Sequence, residues 1–374
     1  MKIERDALGI PLITAESTRD AWFGLGYAAA EDRMWQMEYD RRRAAGRWAE
    51  VSGGAGLAGD VLARRLRLPE SAQRDLAAMS APSRDTFTAY AHGVNAYLNA
   101  GGELPPEYGL TGIVAEPWEP WHSIAAFKIR HVLMGTWQVK LLNATVLARC
   151  GAGVLSRLEP GVAAGTLLTL PPGGRTSELY LAAAGDLSRA ARELGFLAEV
   201  EAGSNAWAVA GARSASGFPV LCNDSHRALD CPNAYWQARL RCPDFDVAGA
   251  TFPGFPGFPH FGQTPRLAWA ITHTGADVQD LYVEQFRGTG ASLEYRTADG
   301  WVGTDGRPEE IVVAGSAPVP IETWATANGS VVHGDPRTGT ALSLRWSATA
   351  EPCLGFEVLQ AMLSATTVEE LADP

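Results

Sequence analysis

At 374 residues the chain can bury a large core and hold one big or two medium domains. A formal net charge of −11 argues against nucleic acid or an anionic membrane surface as a partner, and no run of about eighteen apolar residues is present to span a bilayer. Five cysteines without a Cys-x-x-Cys pair are neither a zinc framework nor a complete disulfide set, although Cys231 and Cys242 remain free to pair in an oxidising compartment.

The opening Met1-Lys2-Ile3-Glu4-Arg5-Asp6 carries no apolar signal region, so the chain as it stands reads as cytoplasmic or as lacking its true start. Residues 3–14 read as two strands about a Gly9 turn. Ser17-Thr18-Arg19-Asp20 is a helix start, with a hydroxyl to cap the first turn and a carboxylate reaching back. That helix runs to a stop at Gly46, and its small residues imply close packing against a neighbour. Glu31, Asp32 and Arg33 within it form an ion-pair network in the simplest reading. Further helices cover 60–100, broken at Ser80-Ala81-Pro82-Ser83, with Tyr90, Val94, Tyr97 and Leu98 at core spacing. A Pro/Gly-rich loop (101–121) leads to a helical region over 122–150.

From 158 to 203 the pattern weakens. Pro171-Pro172-Gly173-Gly174-Arg175 is a loop, 186–198 reads as a short helix, and the composition suits a weakly packed segment. From Ser204 the chain turns β-rich, with strands expected at 205–210, 218–223, 234–242, 246–251, 267–272, 280–286, 311–314, 320–326, 330–333 and 341–346. The stretch that organises this half is Gly203-Ser204-Asn205-Ala206-Trp207. It is followed by Asn223-Asp224-Ser225-His226, Phe255-Pro256-Gly257, Leu267 to Thr272, and Asp277-Val278-Gln279-Asp280.

Taken in that order, with Arg5-Asp6 and Gly9-Ile10-Pro11 at the start, these motifs resemble the penicillin acylase family of N-terminal-nucleophile hydrolases. The resemblance runs from about Arg5 to the end of the chain. It implies an α+β fold, a four-layer αββα sandwich with a largely helical first portion, and a sheet incomplete within these residues. It divides the chain into a helical α-subunit-like region (1–160), a spacer released on self-cleavage (161–203) and the first part of a β-subunit-like domain (204–374). The processed product is then an α/β heterodimer.

The implied chemistry is hydrolysis of the amide of an N-acyl small molecule, such as a penicillin, cephalosporin or acyl-homoserine lactone. A serine hydroxyl needs a base, and an N-terminal serine brings its own, an α-amine with an ordinary pKa near 8. This accounts for the lack of a Gly-x-Ser-x-Gly elbow in the sequence. Gly203 leaves room for the Ser204 hydroxyl to attack its own upstream carbonyl. By resemblance His226 tunes the serine, the backbone N–H of His273 supplies one oxyanion donor, and Met134 and Trp137 approach the substrate. Trp137 reads equally well as plain core. Arg227 either favours a substrate carboxylate or points to solvent.

The family's second oxyanion donor, an asparagine, lies in a motif beyond residue 374, and losing such a donor costs on the order of 10²–10³ in turnover. The expectation is a fragment or a site completed by a second polypeptide. The alternatives are a catalytically incomplete family member and a small-molecule binding module without turnover. Asp277, the Gln279 carbonyl and Asp280 match the family's structural calcium site. In the place of its glutamate stands Lys140, whose ammonium cannot ligate a cation and is expected to pair with Asp277 or Asp280 instead. Otherwise the two aspartates are ordinary surface carboxylates.

Overall fold

The computed structural model describes residues 1–158, 177–194, 203–226, 231–304 and 306–373. After a short hairpin, β1 (Lys2–Arg5) and β2 (Pro11–Thr14), come helices α1 (Thr18–Ala44), α2 (Ala49–Ser52), α3 (Leu57–Leu66), α4 (Leu68–Ala78) and α5 (Ala81–Asn99). They continue as α6 (Pro106–Thr111), α7 (Pro120–His131), α8 (Trp137–Cys150), α9 (Ala152–Leu158) and α10 (Ser177–Leu194). The second half is built from β3 (Gly203–Val209), β4 (Val220–His226), β5 (Trp236–Arg241), β6 (Asp246–Thr251), β7 (Phe261–Gln263), β8 (Ala268–Trp269) and β9 (Gln279–Arg287). It goes on through β10 (Glu294–Thr297), β11 (Gly300–Gly303), β12 (Arg307–Ile311), β13 (Val319–Thr323), β14 (Ala325–Thr326), β15 (Gly329–Asp335) and β16 (Thr340–Trp346). Three short helices close it: α11 (Ser347–Ala350), α12 (Val358–Ser364) and α13 (Val368–Ala372). This is a mixed α+β protein.

The strands form two six-stranded sheets, ordered β1-β2-β5-β6-β7-β8 and β11-β10-β9-β16-β15-β14, and two ribbons, β12-β13 and β3-β4. The first sheet joins distant parts of the chain, because β2 pairs parallel to β5 with Leu12 opposite Arg239 and Thr14 opposite Arg241. One apolar core lies between that sheet and α1 and α5, around Ile13, Trp22, Leu25, Val94, Leu240 and Val247. A second fills the space between α3, α4, α7, α8, α10 and the β15–β16 pair.

The small residues of α1 do what the sequence suggests. An added Cβ on Gly26 would lie 2.1 Å from the Tyr90 carbonyl oxygen of α5, and one on Gly93 of α5 would lie 1.9 Å from the Phe23 carbonyl oxygen. The two backbones therefore approach as closely as two helices can. Tyr90, Val94 and Tyr97 are buried at this contact and Leu98 packs at its margin. Ser17 caps α1 by accepting from the Asp20 N–H at 3.1 Å, but Asp20 takes the Ser17 hydroxyl proton at 2.9 Å rather than the Ser17 N–H. The helix ends at Ala44 and the chain reverses at Gly46, whose φ of 61° suits a residue without a side chain. The expected ion-pair network forms with a different cation: Arg5 reaches Asp32 at 2.8 Å and Glu31 at 2.5 Å, while Arg33 donates to Gln36 at 3.1 Å and to the Asn233 carbonyl at 3.0 Å.

Three expectations shift. The helix read at 186–198 runs instead over Ser177–Leu194, with Tyr180, Ala183, Leu187, Ala190 and Leu194 buried along one stripe. A segment expected to pack weakly thus carries a full apolar face, whose spacing of three and four residues was there to be read. Residues 195–198 lie outside the described residues, as does the Pro171–Arg175 loop. The strand read at 267–272 is paired only over Ala268–Trp269, and that at 311–314 lies earlier, at Arg307–Ile311. β7, β10 and β11 carry too little alternation to be seen in advance. All five cysteines are free thiols, Cys231 and Cys242 included. Among the described residues no helix is long and apolar enough to cross a membrane.

Candidate active site

Ser204 stands second on β3, directly opposite Ser225 of β4, while Gly203 faces His226. Side chains opposite each other in an antiparallel pair point to the same side, so the ribbon presents both hydroxyls together. The Ser204 hydroxyl oxygen accepts from the backbone N–H of His273 at 3.2 Å. That N–H belongs to the extended run that follows β8, which is anchored to the ribbon by one side chain. Asn223 donates to the Asn205 carbonyl at 2.7 Å and to the Ile271 carbonyl at 3.1 Å, and accepts from the Ile271 N–H at 3.3 Å. Asn223 therefore sets the distance between serine and donor. Within the Asn223-Asp224-Ser225-His226 motif nothing local marks Asn223 for this task.

Gly203, Ser204 and His273 border a cavity of about 1050 Å³. Its far walls are helical. Met134 and Trp137 line it from the α7–α8 corner, with Trp137 97% buried and its indole N–H on the Val132 carbonyl at 3.0 Å. Trp137 is thus both core and cavity wall. Helix α10 adds Ala184, Ser188 and Ala191 to the same wall. Behind Ser225 a polar chain that the sequence reading missed runs along the floor: Ser225 Oγ to Tyr235 OH at 3.4 Å, then Tyr235 OH to His260 Nδ1 at 3.0 Å. Nothing local marks it, since Tyr235 and His260 sit on different segments that only the first sheet brings together.

The cavity therefore gathers Ser204, His273, Met134 and Trp137. His226 is not among its described lining residues. Its ring lies over Gly203, where an added Cβ would be 3.0 Å from Nδ1, and its Nε2 is 3.4 Å from Asp224 Oδ2. Any side chain at position 203 would press on that ring. Arg227 lies outside the described residues.

The helical wall is held by buried charge. Arg42 and Arg41 of α1 both grip Glu38, Arg43 pairs with Asp40 at 2.6 Å, and Arg130 of α7 donates to the same Asp40 at 2.6 Å. Lys128 of α7, 98% buried, meets Asp75 of α4, Ser71 Oγ and the Ala348 carbonyl, each at 2.6 Å. Burial pushes its pKa down, and Asp75 opposes that. These pairs fix where α7 ends, and so where Met134 and Trp137 stand.

Lys140, Asp277, Gln279 and Asp280 meet on the other side of α8. The Lys140 ammonium donates to Asp277 Oδ1 at 2.5 Å, to the Gln279 carbonyl at 2.6 Å and to Asp280 Oδ1. The Gln279 side chain is buried, bonding the Val132 carbonyl at 3.1 Å beneath Gly135. A Cβ on Gly135 would fall 1.8 Å from its Oε1.

The Ser204 hydroxyl thus stands at the edge of a large cavity with a backbone N–H directed at its oxygen. Comparison with known proteins agrees on family: the penicillin amidase family model matches residues 1–373. The chain is 39% identical to the penicillin acylase 2 proenzyme of Pseudomonas sp. (strain SE83), across 100% of this chain and 49% of that protein. It is 33% identical to the acyl-homoserine lactone acylase QuiP of Pseudomonas aeruginosa, across 89% of this chain and 40% of the relative. A solved structure, a thermostable penicillin G acylase from Alcaligenes faecalis, aligns at 27% identity and a TM-score of 0.38, over 46% of this chain and 97% of that one. The chain belongs to the penicillin amidase family, and it spans about half the length of the curated relatives it matches.

Proposed function

We propose that this chain carries the nucleophile of an acylase that hydrolyses the amide of N-acyl small molecules. The observation that carries the reading is the 3.2 Å approach of the His273 N–H to the Ser204 hydroxyl at the edge of the cavity. In the first step Ser204 Oγ attacks the Gly203 carbonyl carbon, the Gly203–Ser204 C–N bond breaks, and the hydroxyl proton passes to the departing nitrogen. The acyl group is left as an ester on Oγ and the Ser204 amine is freed. Water then opens the ester and leaves Gly203 as a carboxylate. In turnover the new α-amine takes the Oγ proton as Oγ bonds to the substrate's acyl carbon. The same proton goes to the departing amine, and a water releases the acid. The charge in both steps develops on the oxygen of the attacked carbonyl, and the His273 N–H, beside Oγ, is the candidate donor to it. His226, packed on Gly203, orients the scissile peptide, and Arg227 is the candidate for a carboxylate on the substrate.

On this reading residues 1–160 and 204–374 are the two subunit-like portions and 161–203 is the spacer. The two six-stranded sheets with helices beside them are the layers of an αββα sandwich. A cut at 203 would not separate the portions, since β2 pairs with β5 and Lys140 grips Asp277 across it. The names of the relatives, penicillin acylase and acyl-homoserine lactone acylase, suggest N-acyl substrates of that size. The test is mass spectrometry and N-terminal sequencing of the purified chain. Two pieces, the second beginning Ser-Asn-Ala-Trp, are expected for the native sequence and one intact piece for S204A. An uncut native chain, or an S204A chain that still splits at 203, overturns the proposal.

A further inference from the structure

The family resemblance implies a calcium ion beside β9, and the residues of this chain do not fit one. The three oxygens that would ligate it, on Asp277, Gln279 and Asp280, are all taken by one ammonium. An ammonium has three protons and no lone pair, so three acceptors saturate it and leave no room for a second cation. Among the described residues no group of three or more His, Cys, Asp or Glu side chains is arranged to hold a metal. Thr136, one helical turn before Lys140, adds its hydroxyl to Asp277 at 2.9 Å and to the Gln279 carbonyl at 3.2 Å. The site is thus closed from the α8 side by two residues of this chain.

We propose that Lys140 is a resident cation that replaces the metal, pins α8 to the start of β9, and makes the joint between the two halves independent of calcium. The joint matters for the site because Asp277 lies four residues beyond His273. The run that carries the donor N–H is held by Asn223 at one end and by Lys140 at the other. Lys140 is a positioning residue in this scheme, touching neither substrate nor Ser204. The proposal does not rest on Ser204 being the nucleophile.

The experiment is calorimetric titration of calcium chloride into the full chain, after dialysis against EGTA, with thermal melts in EGTA and in calcium. Native protein should give no saturable calcium heat and the same melting temperature in both buffers. K140E, which places a third carboxylate among the same oxygens, should acquire saturable calcium binding and melt higher with calcium than with EGTA. K140M should melt lower than the native protein in both buffers. Saturable binding by the native protein that D277N abolishes would overturn the proposal, as would a K140M chain that melts like the native one. A folded K140E that ignores calcium would also count against it. Should K140E not be recovered folded, the native titration and the K140M melt decide by themselves.

Discussion

The helical wall of the cavity and the ribbon that carries Ser204 face each other but are held by opposite means. The wall, α7, α8 and α10, is backed by α1 and α5, whose backbones are in contact at Gly26 and Gly93, and its charges are paired in the interior. The ribbon β3–β4 belongs to neither large sheet. It leaves Trp207 51%, Val220 42% and Leu221 39% exposed. A two-stranded ribbon is marginal on its own, and this one leans on a few hydrogen bonds from Asn223 and His273. Buried contacts are therefore concentrated on one side of the cavity and the Ser204 hydroxyl sits on the other. Under the proposed mechanism, a serine whose own backbone is cut is better placed on such a lightly held ribbon.

Four changes sharpen or break that contrast, in order of expected effect. D75N should be the most damaging, because it leaves the buried Lys128 ammonium without its counter-charge. Breaking such a pair costs about 3–5 kcal/mol, read as a fall in the denaturant midpoint with the slope unchanged. G93A should cost about 2–3 kcal/mol by the same measurement, since a methyl meets backbone that cannot turn aside. A native-like midpoint in either variant would mean that the wall is not the stable side.

The third prediction concerns pH. Burial, with Arg41 nearby, lowers the His122 pKa to about 3, and its Nδ1 accepts the Glu119 N–H at 2.9 Å at the start of α7. The folded state therefore binds this proton less readily than the unfolded chain, whose value is near 6.5. The stabilisation is fully present above pH 6.5 and is lost as pH falls toward about 3, with a slope on the order of 1 kcal/mol per pH unit. H122N should flatten that part of the stability profile; an unchanged slope would remove His122 as its source.

N223A is the smallest change in stability and the most telling one. It removes three hydrogen bonds that are exposed to solvent, so the global midpoint should move by less than about 1 kcal/mol. The rate of cleavage at Gly203–Ser204 should nevertheless fall about tenfold, the equivalent of some 1.4 kcal/mol in the barrier. Equal losses in midpoint and rate would mean that the ribbon is part of the same cooperative unit as the wall.

Much of this molecule was legible locally. Helix starts at Ser17 and Ser80, the stop at Gly46, the small-residue face of α1 and most strands of the second half follow from side-chain shape and hydrogen-bonding capacity within a few residues. The pairing of Lys140 with Asp277 and Asp280 could be anticipated because charge is a property of residue type. Other features could not be. The parallel pairing of β2 with β5, the task of Asn223, the Ser225–Tyr235–His260 chain and the buried Arg130–Asp40 and Lys128–Asp75 pairs join residues remote in the chain.

What the chain order alone determined is where most helices and strands form and that the Ser204 hydroxyl follows a glycine at the head of the β-rich half, because those depend on neighbours a turn or a strand away. Only the folded arrangement decided that a main-chain N–H meets that hydroxyl, that helices from the first half wall its cavity, and that one lysine saturates three oxygens. Distances of a few ångströms between remote segments are set by how two cores pack, and packing has no period that a linear pattern can display.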